Sequence, residues 1–262
     1  MLEPRAFDNY TLLAVTAHPD DETILCGGLL AWCAYLGATV NLLCLTRGEH
    51  GQGGSDVANQ RSAELTAAAS VLGITSTTLL RYEDGMLAWT DNTVIEHEIR
   101  ATINRQQPDV VVTFDHDGAY GHPDHIAVHD RTTSVVTLAG EVAPALFYVT
   151  TPPGAMRTLV DHVASTSRSH RDGFTVPSTI LGVDDPDAWG SAGLNPTLIV
   201  DAHAFGSKKL AALACHQSQF HNSVLELLDE ADAPRLLGTE HYRRAPVGHH
   251  GPVFIEHLHK IE

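Results

Sequence analysis

The chain has few cysteines: Cys26, Cys33, Cys44 and Cys215 form no CxxC pair and mostly sit inside apolar stretches. They read as small buried thiols, which suits a reducing cytosol. Positive charge is also scarce, with 16 Lys and Arg against 32 Asp and Glu, a net charge of −16. That balance disfavours nucleic acid and anionic membrane surfaces as partners. The 17 histidines are neutral in this sum, so mild acid would reduce the imbalance. No apolar run is long enough to span a bilayer, and MLEPRAFDNY lacks a basic segment followed by an apolar core. The expectation is a soluble cytoplasmic protein without internal repeats.

At 262 residues and 43% hydrophobic content, one large domain with a sizeable core is expected. TLLAVTA (residues 11–17) reads as a strand, and apolar residues then recur at helical spacing until Gly37. TVNLLCLT (39–46), a loop RGEHGQGGSD and a helix-like ANQRSAELTAAASVLG ending at Gly73 repeat the pattern. TTLLRY predicts a third strand, residues 91–107 a helix, and DVVVTF (109–114) a fourth strand, apolar as when both faces are covered. Strands alternating with helices define an α/β fold, a Rossmann-like three-layer sandwich around a mostly parallel sheet. Residues 1–150 would form that core. Residues 151–262 would hold a variable substrate-side region and the closing elements: STILGVDD (178–185) and TLIVDA as strands and AFGSKKLAALACHQ as a helix.

In such sheets ligands bind beyond the carboxyl ends of the strands. A dinucleotide would need a glycine-rich turn after the first strand, and AHPDDE has no GxGxxG. Three consecutive acids there would repel phosphate unless a metal intervened. The loop after the fourth strand, FDHDGAYGHPDHIAVHD, supplies four histidines among four aspartates. The fold would bring His18 and Asp21 to His122 and His125, from loops about 100 residues apart in sequence. Mixed nitrogen and oxygen ligands suit zinc, and three protein ligands leave a position open for water. Taken singly, each loop has an ordinary alternative: Asp20 and Asp21 at a helix N-terminus, HPDH as a solvated turn.

AHPDDE followed by GHPDH resembles the PIG-L/LmbE family of zinc-dependent N-deacetylases, and both motifs match without a gap or substitution. The likeness extends to LTRGEHG, ANQRSAEL and the late HQSQ at residues 216–219, and is weakest over 151–196. It implies that His18, Asp21 and His125 hold one Zn²⁺, with other divalent transition metals able to occupy the site. It implies Asp20 as the general base for a zinc-bound water attacking an amide carbonyl. His122, as an imidazolium, would stabilise the oxyanion, a task zinc would share, or protonate the amine, a role open to either His122 or Asp20. Asp124, or Asp115, would orient His122, with helix capping as the alternative for Asp124. Tyr120 would bond the oxyanion or simply pack. Arg47 would reach substrate hydroxyls or form a structural ion pair. Glu49 and Asp84 are weaker substrate-side candidates, Glu22 would support the first loop, and His216 comes nearest to a site role among the unassigned histidines.

The resemblance implies deacetylation of an amino sugar such as an N-acetylglucosamine glycoside. The alternatives are an amidase acting on a thiol conjugate or natural-product glycoside, and a non-catalytic metal-binding module. The partner is then a small molecule, not nucleic acid or membrane, and self-association stays open.

Overall fold

The computed structural model describes residues 5–166, 177–190, 195–221 and 223–258. The chain runs β1 (Thr11–Thr16), α1 (Asp21–Tyr35), β2 (Thr39–Thr46), α2 (Val57–Leu72), β3 (Ser76–Tyr82), α3 (Asn92–Gln106) and β4 (Val110–Phe114). It continues through α4 (Gly118–Gly121), α5 (Pro123–Ala139), β5 (Ala145–Thr150), α6 (Ala155–Ser165), β6 (Leu198–Asp201), α7 (Gly206–Leu213), α8 (Gln217–Phe220), α9 (Ala233–Leu237) and β7 (Thr239–Gly248).

Seven strands form one sheet in the order β3-β2-β1-β4-β5-β7-β6. β1 to β5 pair in parallel, and β7 is antiparallel to both β5 and β6. β1, β2, β4 and β5 are buried along almost their whole lengths, because α1, α2 and α7 pack together over one face and α3 packs against α5 over the other. This is the expected α/β architecture. Among the described residues no helix is long and apolar enough to cross a membrane.

Two elements differ from expectation. STILGVDD is not a strand: Leu181 (φ 48°) and Gly182 (φ 88°) fold it into a tight turn closed by a single bridge between Ile180 and Val183. β7 carries three charged residues and a proline, TEHYRRAPVG, and hides its strand character, although it sits between β5 and β6. Residues 167–176 and 191–194 of the variable stretch lie outside the described residues.

The sheet also fixes α1. The helix breaks at Cys26 (φ −138°, ψ 15°), freeing the amides of Gly28 and Leu29, which donate to the buried Glu240 carboxylate of β7 at 2.8 Å each. Lys209 Nζ (2.6 Å) and the Tyr242 hydroxyl (2.7 Å) complete its partners. A Cβ at Gly28 would stand 2.8 Å from that of Ala202, so only glycine permits this approach.

Candidate metal centre and active site

The carboxyl ends of β1, β2, β3 and β4 open onto one cleft of about 370 Å³, lined among others by His18, Asp20, Arg61, Asp84, Tyr120 and His122. After β1 the chain turns through Asp20 with φ 111° and ψ −29°, a conformation L-residues avoid. Asp20 stands at the helix N-cap but makes no capping hydrogen bond with its side chain. Asp21 folds back instead, its Oδ2 accepting the His18 backbone N–H at 2.7 Å. Helix capping therefore does not account for these two acids.

After β4 the backbone twists through Gly118 (φ 61°) and Ala119 (φ 67°). It enters α5 with His122 as N-cap and Pro123 at the first turn, where a missing N–H costs nothing. His122 Nδ1 accepts the Asp124 N–H at 3.2 Å, which leaves the proton of a neutral ring on Nε2. Asp124 and His125 follow in the first turn, the His125 ring stacked on Phe114 at 4.0 Å between centroids.

Both innermost imidazoles have their tautomers set by neighbours. His125 Nδ1–H donates to the Gly118 carbonyl at 3.0 Å, so Nε2 carries the lone pair. His18 Nε2 lies 3.0 Å from Asp84 Oδ1 and 3.3 Å from Asp124 Oδ2, so its proton belongs there and Nδ1 is the free nitrogen. The two free nitrogens stand 3.2 Å apart. Asp21 offers Oδ1 3.2 Å from His125 Nε2 and Oδ2 3.4 Å from His18 Nδ1. Ligands at 2.0–2.1 Å from a tetrahedral zinc are separated by about 3.3 Å. Two lone pairs and a carboxylate converging at that spacing, all buried, repel one another until a cation or protons intervene. Donor atoms of His18, Asp84 and Asp124 also lie within 4.8 Å of one another, as do those of His18, His122 and His125. Asp124 is committed elsewhere, however, accepting the backbone N–H groups of Gly85 (2.8 Å) and Leu87 (3.0 Å). Asp84 Oδ2 likewise accepts the His50 N–H at 2.9 Å. These two carboxylates have the arrangement of groups that orient a ligand imidazole.

The charges respond accordingly. Burial alone would depress His18, yet Asp124, Asp21 and Asp84 outweigh it and raise its pKa well above the ordinary range. Burial works against the Asp84 charge, but hydrogen bonding to His18 and the His50 amide brings its pKa down to about 2. Asp20 is pushed up to about 7 by burial and by its acidic neighbours Asp21 and Glu22, against the pull of Arg61. His122 falls to about 4 through burial and the imidazoles beside it. The Tyr120 phenol is raised by burial and by nearby carboxylates, so it stays protonated. Its ring packs 4.6 Å from Trp189 and 5.2 Å from His125.

Several expected residues sit elsewhere. Arg47 lies outside the cleft lining, its Nη1 3.4 Å from Asn59 Oδ1. Among the described residues neither the Asp124 nor the Asp115 carboxylate hydrogen-bonds the His122 ring; Asp124 reaches it only through its backbone N–H, and Asp115 instead pairs with Arg243 and His116. Glu49 Oε1 accepts the Asp84 N–H at 3.1 Å, behind the cleft wall. Sequence reasoning missed Arg61, the arginine that does reach the cleft. It projects from α2 to Asp20 Oδ2 (3.1 Å), the Pro19 carbonyl and the Gly48 carbonyl (2.9 Å). The signal was spacing: Val57, Arg61, Glu64, Leu65 and Ala68 share the buried stripe of α2, placing two charges where apolar residues belong.

The fold and this donor set are those of a metal-dependent hydrolase. Residues 13–136 match the family model described as "PIG-L: GlcNAc-PI de-N-acetylase". The 1D-myo-inositol 2-acetamido-2-deoxy-alpha-D-glucopyranoside deacetylase of Rhodococcus jostii (strain RHA1) is 34% identical over 247 residues, spanning 79% of this chain and 81% of that protein. Its counterpart in Mycolicibacterium gilvum (strain PYR-GCK) is 33% identical, with 79% and 80% covered. Among solved structures, the fold resembles N,N'-diacetylchitobiose deacetylase from Pyrococcus horikoshii with a TM-score of 0.62 at 22% identity, over 90% of this chain and 84% of that one. The chain belongs to the PIG-L family.

Proposed function

We propose that the protein is a zinc-dependent deacetylase that hydrolyses the acetamide of an N-acetylglucosamine glycoside in the cytoplasm. The observation that carries the reading is the convergence of His18 Nδ1, His125 Nε2 and the Asp21 carboxylate at separations of 3.2 to 3.4 Å. The relatives support it, since the Rhodococcus and Mycolicibacterium proteins are named as deacetylases of an acetamidoglucosyl inositol. His18, Asp21 and His125 would hold the ion, which when bound supplies a Lewis acid and lowers the pKa of water.

The remaining roles belong to the protein's own side chains. Asp20, with its pKa near 7 and its carboxylate held by Arg61, takes the proton from the water that attacks the acetyl carbonyl. His122 acts as a neutral donor: its Nδ1 is occupied by the Asp124 amide, so Nε2–H is free to meet the oxygen on which negative charge develops. The imidazolium expected from sequence is disfavoured by the depressed pKa. Tyr120 offers a second donor, its hydroxyl, from the same wall. As the carbon–nitrogen bond breaks, the proton held by Asp20 passes to the departing amine, giving acetate and a free amino sugar.

The test is release of primary amine from a panel of N-acetylglucosamine glycosides by protein stripped of metal and restored with one equivalent of zinc. Zinc-restored release confirms the reaction class and ranks the aglycones. Stoichiometric zinc binding without cleavage of any acetamidosugar would overturn it.

A further inference from the structure

Directly behind Asp20 lies a fully buried polar pair that the reaction above does not use. The Asp20 backbone N–H, in its strained conformation, donates to Glu22 Oε2 at 3.0 Å. The other oxygen, Oε1, accepts from the Thr23 hydroxyl and from His216 Nε2, the latter at 2.9 Å. Glu22 and His216 are both 0% exposed, and His216 does not line the cleft. Its partner lies 194 residues away in sequence, so the contact is a product of the fold.

His216 is rigidly mounted. Its N–H donates to the Leu213 carbonyl at 3.0 Å, and its own carbonyl accepts from Gln219 and Phe220 at 3.0 and 2.8 Å. The residues beside it grip other parts of the site: Ser218 donates to both oxygens of Glu64, one turn along α2 from Arg61, and Gln219 Nε2 donates to the Gln52 carbonyl at the cleft edge. Among the described residues His216 Nδ1 has no partner although it is buried. An apolar side chain of similar size would fill this space without the unpartnered Nδ1, but it would take from Glu22 Oε1 the donor that His216 Nε2 supplies. The ring therefore answers to Glu22, and through Glu22 to Asp20.

We propose that His216 is a positioning residue for deacetylation: through Glu22 it fixes the Asp20 backbone in the twisted conformation that turns the Asp20 carboxylate toward the cleft. This rests on the deacetylase reading. A misplacement of about 1 Å in a catalytic group costs on the order of a hundredfold in rate. His216→Leu, which fills the space without a donor, is expected to lower kcat about tenfold to a hundredfold. KM should stay within about threefold and zinc binding at one per chain, since neither cleft nor donor set is touched. His216→Gln, whose Nε2 amide can reach the same Glu22 oxygen, is expected to restore kcat to within about threefold of the parent.

The parent protein, His216→Leu and His216→Gln are compared for amine release, zinc content and thermal unfolding. A slow leucine variant with full zinc and a restored glutamine variant support the proposal. Equal turnover in all three, equal impairment of both variants, loss of zinc, or a leucine variant that does not fold would each overturn it. If the parent itself releases no amine, it is the deacetylase reading that falls.

Discussion

Replacing Asp20 by asparagine separates what this carboxylate does for the reaction from what it costs the fold. The side chain keeps its volume, and an amide oxygen can still accept from Arg61, so the loop retains its anchors at the Pro19 and Gly48 carbonyls. Burial and the neighbouring acids raise the Asp20 pKa from 3.8 to about 7. A carboxyl raised in this way holds a proton in the native state that the unfolded chain releases, so stability is lost as pH rises from about 4 through 7 and then levels off. A shift of about three units corresponds to at most about 4 kcal/mol. Metal-free Asp20→Asn should therefore unfold at higher temperature or urea concentration than metal-free parent at pH 8, with the two nearly matched at pH 4. It should also lose about a hundredfold to ten-thousandfold in turnover with zinc restored, the usual contribution of a general base. Urea melts of chelator-treated protein at both pH values, paired with amine release from an N-acetylglucosamine glycoside, give the two numbers. Unchanged turnover, or a variant less stable than the parent at pH 8, would refute the reasoning.

Other consequences follow from the same geometry. His18→Ala or His125→Ala should abolish stoichiometric zinc binding, measured by elemental analysis after dialysis, whereas Asp20→Asn should retain it. Asp84→Asn leaves the three donors in place but weakens the acceptor of His18 Nε2–H, and a competition titration should show zinc affinity about tenfold to a hundredfold lower. The acid limb of kcat/KM should lie at or below about pH 7, because protonated Asp20 cannot accept a proton and a bound cation draws its pKa down. His122 should add no limb above pH 5, so His122→Phe should lower kcat without moving the profile. Gly48→Ala should impair both folding and turnover, since Gly48 has φ 64° and a Cβ there would collide with the Arg61 guanidinium.

The half of the candidate site where His18, Asp21 and His125 converge was legible because its residues are concentrated in two short loops. AHPDDE and GHPDH each follow a strand whose apolar run is unmistakable, and the parallel topology alone puts both at the same end of the sheet. The supporting half was not legible, because its members act alone. Arg61 is one charge on a helix, Glu240 one acid in a strand, and His216 one histidine of 17. Each is defined by a partner between 41 and 212 residues away, which periodicity does not register. Arg47 directly follows β2, yet the chain there turns its guanidinium toward Asn59 while α2 carries Arg61 over the first loop. The strand expected at STILGVDD failed for a local reason, the positive φ values at Leu181 and Gly182.

The most direct test of the metal assignment is anomalous diffraction at the zinc edge from crystals of the zinc-loaded protein. One peak bonded to His18 Nδ1, His125 Nε2 and an Asp21 oxygen, with Asp84 and Asp124 on the far nitrogen of His18, is the predicted result. A peak bonded to His18 Nε2 together with Asp84 and Asp124 would contradict it, and with it the roles assigned to Asp20 and His122.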